Sequence, residues 1–289
     1  MAFKIITDTG SNLPKSTLTQ MDVTVIPFTY WMQGVPQECP VYPEDFDSHA
    51  YYDKLRAGAE VKTSLINSDK FASYFRPALE AGQDVLYIGM STAISGTCQS
   101  AKLAADALAE EFPGRKVLVL SSLGSGCGTG LLVCRAWDAC QAGRTLDETY
   151  QGLLQDRDRL CEYFTVDDLM FLKRGGRVNA AVALVGSMLH IKPILYGNDE
   201  GKIVITGKAR GRKRAIDTLA ELYRKKVRMP ERSRVFISHG DCLEEAQTLA
   251  KMIEAIAPPK ELTITVHEPL TGAHVGPGML AVFFLGDSR

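Results

Sequence analysis

VLYIGMSTAISGTCQSAKLAADALAEEFPGRKVLVL, residues 85–120, carries one complete strand, loop, helix and strand. Residues 85–89 are a short run of aliphatic and aromatic side chains, suited to a buried strand. Residues 91–97, STAISGT, are small and polar, a loop composition. Residues 98–112 are rich in alanine and free of glycine and proline, which predicts a helix, and Pro113-Gly114 ends it. A new apolar run follows at 117–120. Two short strands joined by one helix are read as parallel, because the crossover has the length to return the chain to the same edge.

The pattern extends in both directions. Downstream, residues 121–130 form a Ser/Gly loop leading to a helix that closes at Ala142-Gly143. Upstream, residues 4–7 predict a strand with a polar loop at 8–12, and 23–30 a second strand. Residues 34–43 are read as a turn-rich connection, and 43–55 and 69–80 as helices. The order predicts an α/β fold with a mostly parallel, helix-covered sheet. Ligands of such sheets sit at the carboxyl ends of strands, so the loops 8–12, 91–97 and 121–128 are expected to converge on one crevice.

An amphipathic helix is expected over 146–163, and a second α/β domain from about residue 162, dividing the chain into 1–161 and 162–289. Its expected elements are a helix at 180–189, strands at 191–196 and 202–209, and a helix at 212–226. A strand at 234–238, a helix at 242–257 and strands at 262–269 and 279–285 complete it.

The 289 residues carry 33 Lys and Arg against 34 Asp and Glu, a balance that argues against a protein built to coat nucleic acid. The apolar stretch at 180–191 meets His190, Lys192 and Pro193 before the about 20 residues needed to span a bilayer. The opening MAFKIITDTGSN lacks the long hydrophobic run of a secretory signal and predicts a cytoplasmic protein. Seven cysteines without a CxxC pair suit neither a disulfide framework nor a zinc site. The five histidines show no HExxH or paired spacing, so no metal is expected.

Ser91, Thr92, Ser95 and Thr97 set four hydroxyls around Gly96 at a helix start, a composition that fits a phosphate or a carboxylate. Ser95 or Thr97 serving only as a helix cap accounts for one of those hydroxyls. Thr63 and Ser64 offer two more, or simply a turn, and Asp8 either orients loop donors or braces its own turn. The loop 121–128 resembles a phosphate loop but lacks GxxxxGK[ST], and close helix packing explains its glycines equally well. Lys173-Arg174-Gly175-Gly176-Arg177 is a solvated basic loop or an anion clamp. His274 stands in Gly272-Ala273-His274-Val275-Gly276-Pro277-Gly278, read as a tight, rigid loop. A Ser/His hydrolase using Ser95 and His274 is the enzymatic alternative, although no GxSxG elbow is present.

In combination and order, Ile6-Thr7-Asp8, Lys62-Thr63-Ser64, Ser91 to Thr97, Leu172 to Arg177 and Gly272 to Gly278 resemble the DegV family over essentially the whole chain. That resemblance implies two α/β domains with a long-chain fatty acid between them, as ligand rather than cofactor. It implies Thr63, Ser95 and His274 at the carboxylate, with Asp8, Ser64, Ser91, Gly96, Thr97, Arg174 and Arg177 in support. It further implies a non-catalytic subunit that presents the carboxylate to a separate ATP-dependent fatty acid kinase, which makes the acyl phosphate. A lipid-sensing regulatory module is the remaining alternative. The chain departs from the family pattern at Leu65-Ile66, where Gln-Pro is frequent, and at Thr9-Gly10-Ser11.

Overall fold

A computed structural model describes residues 3–179 and 190–289. The helix expected at 180–189 lies outside the described residues.

The first sheet has four parallel strands in the order β2-β1-β6-β7. They are β1 (Phe3–Asp8), β2 (Val23–Ile26), β6 (Asp84–Gly89) and β7 (Val117–Ser121). Period-two alternation gives the sheet two buried faces. Phe3, Ile5, Leu86 and Ile88 enter one core, and Ile6, Val85 and Tyr87 the other. On the second face lie α3 (Ser68–Glu80) and α4 (Thr97–Glu111), through Phe71, Phe75, Ala101, Ala104 and Leu108.

The strand expected at 23–30 is in fact two. After Ile26 the chain leaves the parallel sheet, and β3 (Thr29–Met32) pairs antiparallel with β4 (Val35–Glu38) and β5 (Val61–Thr63). The segment 34–43 therefore contains a strand, formed on an exposed edge where Pro36 needs no ladder partner. The helix expected from residue 43 begins later, as α2 (Ser48–Arg56), because the Asp47 carboxylate caps it by accepting from the Ala50 N–H at 2.9 Å.

The second large sheet is mixed, unlike the first, whose parallel pairing is what the strand-helix alternation predicts. It has six strands in the order β10-β9-β8-β13-β11-β12. These are β8 (Leu160–Thr165), β9 (Ile191–Gly197), β10 (Ile203–Arg210), β11 (Arg234–His239), β12 (Glu261–Val266) and β13 (Leu280–Leu285). Only β11 and β12 are parallel; the other four pairings are antiparallel. A hairpin at 197–202 and the return of β13 between β8 and β11 permit this without crossover helices.

The helix expected over 146–163 ends at Arg157. Residues 160–165 instead form β8, with Leu160 in one core and Cys161 and Tyr163 in the other, a strand period.

Between the two large sheets lies α5 (Cys127–Gln141), whose first half is buried on every side: Leu131, Leu132, Val133 and Cys134 share a core with both sheets. A Cβ on Gly130 would collide with the Ser11 carbonyl, so that glycine sets the closeness of approach. Gly124 and Gly128 are closely packed as well, each against the Glu162 carboxyl, which supports the close-packing explanation of the glycines in 121–128. Two helices, α8 (Arg212–Lys226) and α9 (Leu243–Ile256), cover the outer face of the six-stranded sheet; counting these labels, α1 (Lys15–Leu18), α6 (Leu146–Arg157), α7 (Met170–Arg174) and α10 (Pro269–Val275) complete the described helices.

Candidate ligand-binding cavity

At the carboxyl ends of β6 and β7 is a cavity of about 320 Å³. Its polar lining includes Thr63, Ser64, Ser95, Arg177 and His274, and its apolar lining Phe28, Met90, Leu172, Ile203, Leu270 and Val275. Thr63, Arg177 and His274 also border an outer groove of about 550 Å³, which contains Arg174. In the other direction, Ile94, Ser125, Ile203 and Val275 are shared with a further cavity of about 50 Å³, lined mainly by apolar and glycine residues. The polar groups thus stand toward the outer groove, and the apolar wall continues inward.

Thr63 ends β5, in register with Tyr30 of β3, and Ser64 follows with its N–H and hydroxyl both 3.4 Å from the Thr29 carbonyl. His274 is not in a tight loop, as its glycine-rich surroundings suggested, but in the last turn of α10. Pro269 suits the first turn of that helix, and the Glu268 side chain accepts from the Leu270 and Thr271 N–H groups. Gly276 ends it at φ 76°, a conformation that glycine accepts without strain.

His274 Nε2 lies 3.0 Å from Thr63 Oγ1. Burial, reinforced by Arg177, pulls the imidazole down to about 4, so it is neutral at pH 7. A Cβ on Gly175 would overlap His274 Nδ1, so Gly175 in the basic loop makes room for this ring.

Arg177 is half-buried; its Nε donates to the Ile94 carbonyl at 3.2 Å, and a terminal nitrogen donates to the Gly175 carbonyl. Burial lowers its pKa, yet a guanidinium keeps its proton. No carboxylate pairs with it among the described residues. Arg174 points elsewhere, stacked over the Phe171 ring at 4.5 Å on the outer groove.

The loop 91–97 divides its hydroxyls between two tasks. Ser91 is fully buried behind the cavity wall, where Oγ donates to the Gly201 carbonyl at 2.9 Å and accepts from the Ala93 N–H at 3.1 Å. Ser95 faces the cavity, while its Oγ pairs with Thr97 Oγ1 at 2.9 Å and accepts from the Thr97 N–H at 3.3 Å. Thr97 is buried beneath it. Gly96 lines the cavity next to Leu65, a residue 49% exposed.

Of the three loops expected to converge, those after β6 and β7 reach the cavity, the latter through Ser125. The loop after β1 supports it from behind. Asn12 there donates to the Val266 carbonyl at 3.1 Å and accepts from the Glu268 N–H at 2.8 Å, anchoring the start of α10. Asp8 is likewise fully buried behind the wall, bonded to the Tyr87 hydroxyl, and burial raises it to about 7.

Two polar residues escaped the reading of the sequence. Thr271 lines the cavity and is bonded to His267 Nε2 at 2.8 Å; nothing but its position on α10 distinguishes it from an ordinary threonine. Glu162 lines the inner cavity; its signal is a lone charge at an inward position of the strand LCEYFT, hidden by the expectation of a helix through residue 163. Elsewhere, His49, Asp53 and Asp241 come together at the surface, but Arg56 already bonds both carboxylates, at 2.7 and 2.6 Å.

The fold and cavity define an α/β protein with a parallel and a mixed sheet and a largely apolar cavity whose lining carries hydroxyls, a histidine and an arginine. The chain belongs to the DegV family, whose model, described as uncharacterised proteins, matches residues 2–287. A DegV domain-containing protein of Clostridium perfringens is 37% identical over 99% of this chain and 98% of its own. The DegV family protein of Thermus thermophilus, solved for its fatty acid binding, shares 30% identity with a TM-score of 0.88, covering 99% of this chain and 100% of that one. DegV of Bacillus subtilis, a fatty acid binding protein, shares 25% identity with a TM-score of 0.85 over 99% of this chain and 100% of its own. Among the described residues no helix is long and apolar enough to cross a membrane.

Proposed function

We propose that this chain binds a long-chain fatty acid, with its carboxylate at Thr63, Ser95, His274 and Arg177 and its acyl chain directed into the inner cavity. The observation that carries the reading is Arg177, a cation without an acidic partner at the polar end of an otherwise apolar chamber. A half-buried charge without a counter-charge attracts an anion, and an anionic head group supplies one. Each buried methylene adds roughly 0.8 kcal/mol before ordering costs, so the apolar wall provides most of the affinity.

Residues 1–161 and 162–289 act in this reading as two domains with the ligand in the cleft between them. Thr63 and Ser95 come from the first, and Arg177, Ile203 and His274 from the second. The outer groove leaves the carboxylate approachable, which supports presentation to a separate ATP-dependent kinase that forms the acyl phosphate. Hydrolysis by Ser95 and His274 is less well supported: His274 Nε2 faces Thr63, and no carboxylate bonds the imidazole among the described residues.

Native mass spectrometry of the protein expressed in bacteria is expected to show a co-purifying long-chain fatty acid. A homogeneous ligand-free protein that also fails to bind labelled fatty acid would overturn the proposal. Acyl phosphate formed only with a kinase and ATP separates presentation from intrinsic hydrolysis, which the isolated protein would perform and Ser95→Ala would abolish.

A further inference from the structure

The inner cavity is not uniformly apolar. Glu162, 7% exposed, projects into it from β8. Its Oε1 accepts from the Ser125 N–H at 2.8 Å. Its Oε2 forms an ion pair with the buried Arg289 guanidinium at 3.7 Å, which is too long for a hydrogen bond, and makes no hydrogen bond among the described residues. Arg289 donates instead to the carbonyls of Gly197, Arg157 and Leu123. Ser125 lines both cavities, and its hydroxyl makes no hydrogen bond among the described residues.

The surroundings are shaped for this carboxyl. A Cβ on Gly124 or on Gly128 would collide with it, so both positions clear space for Glu162. A pocket for a plain hydrocarbon end gains nothing from a carboxyl on its wall whose Oε2 is held only by an ion pair at 3.7 Å and keeps its hydrogen-bonding capacity unused, since desolvating that oxygen costs free energy.

Building on the fatty-acid reading above, we propose that Glu162, with Ser125, is a specificity-determining site for an acyl chain that carries a hydroxyl group on its distal part. Oε2 accepts the chain hydroxyl's proton in a hydrogen bond, and Ser125 Oγ is placed to bond the same oxygen. Burial pushes the Glu162 carboxyl up to about 7, against the pull of Arg289 and the Ser125 N–H. A hydroxyl both donates and accepts, so it satisfies either protonation state, whereas a ketone could serve only the protonated one.

The test uses the delipidated full chain and displacement of a fluorescent fatty acid by octadecanoic acid and by hydroxyoctadecanoic acids substituted at successive carbons. At least one hydroxylated isomer is expected to bind about tenfold or more tighter than octadecanoic acid, the scale of one charge-assisted hydrogen bond. Glu162→Leu is expected to erase that preference while octadecanoic acid still binds, and Ser125→Ala to reduce it. Octadecanoic acid that binds as well as or better than every isomer overturns this inference alone, as does a preference unchanged in Glu162→Leu. If Glu162→Leu does not fold, the isomer series on the unaltered protein and on Ser125→Ala decides. If no fatty acid binds, the broader reading falls and this one with it.

Discussion

The imidazole of His274 and the hydroxyl of Thr63, 211 residues apart in the chain, meet at 3.0 Å on the cavity wall. One belongs to a short helix and the other to the end of an edge strand. Because burial keeps the imidazole neutral, the pair would, in the proposed fatty-acid complex, offer the carboxylate hydrogen bonds while Arg177 supplies the charge.

Removing either partner is expected to weaken fatty-acid binding. His274→Ala and Thr63→Ala should each cost about 1.5–3 kcal/mol of affinity, the range for a hydrogen bond to a charged group. Titration calorimetry measures this, and thermal melts on the same variants should show smaller losses. Equal losses in both would mark the pair as structural.

Gly175→Ala isolates the ring's position. Gly175 has φ −71°, which alanine tolerates, so the substitution acts through its overlap with His274. Affinity should fall about as far as in His274→Ala, and the double variant should fall no further. A double-mutant cycle on fatty-acid binding reads that coupling.

Ser91 and Ser95 should respond oppositely. Ser91→Ala strands the buried Gly201 carbonyl and is expected to cost about 1–3 kcal/mol of stability. Ser95→Ala should chiefly reduce affinity. Denaturant melts and binding titrations on both variants distinguish a brace from a contact residue.

The pH dependence carries a sign that Glu268→Gln exposes. Burial raises the Glu268 carboxyl from 4.5 to about 7, partly offset by its bonds from Thr271 and Leu270. Its stabilising proton is fully bound below pH 4.5, and that contribution is lost as pH rises through 7. Relative to the unaltered protein, Glu268→Gln should therefore be more stable at pH 8 than at pH 5, by up to about 1.4 kcal/mol per pH unit crossed. Unfolding free energies at a series of pH values test the slope. His274 acts in the opposite direction: its pKa is lowered to about 4, so its contribution is lost as pH falls from 6.5 toward that value.

Local chemistry made the parallel half of the molecule legible. An apolar run, a small polar loop and an alanine-rich helix closed by Pro-Gly determine β6 and α4 without help from distant residues, and the structure has them within a residue or two. The four hydroxyls after β6 were likewise visible as a cluster, but not their division of labour. Ser91 turns inward only because the 197–202 hairpin, more than a hundred residues later, brings the Gly201 carbonyl to it. Strand direction in the second sheet, the helix under His274 and the inward charge of Glu162 were also beyond local reading. Each depends on which segments pair and pack across the whole chain, and burial, which raises a carboxyl and lowers an imidazole, exists only once they have. Periodicity and turn residues determined which elements form; tertiary packing decided which side chains face one another, and so what the cavity can hold.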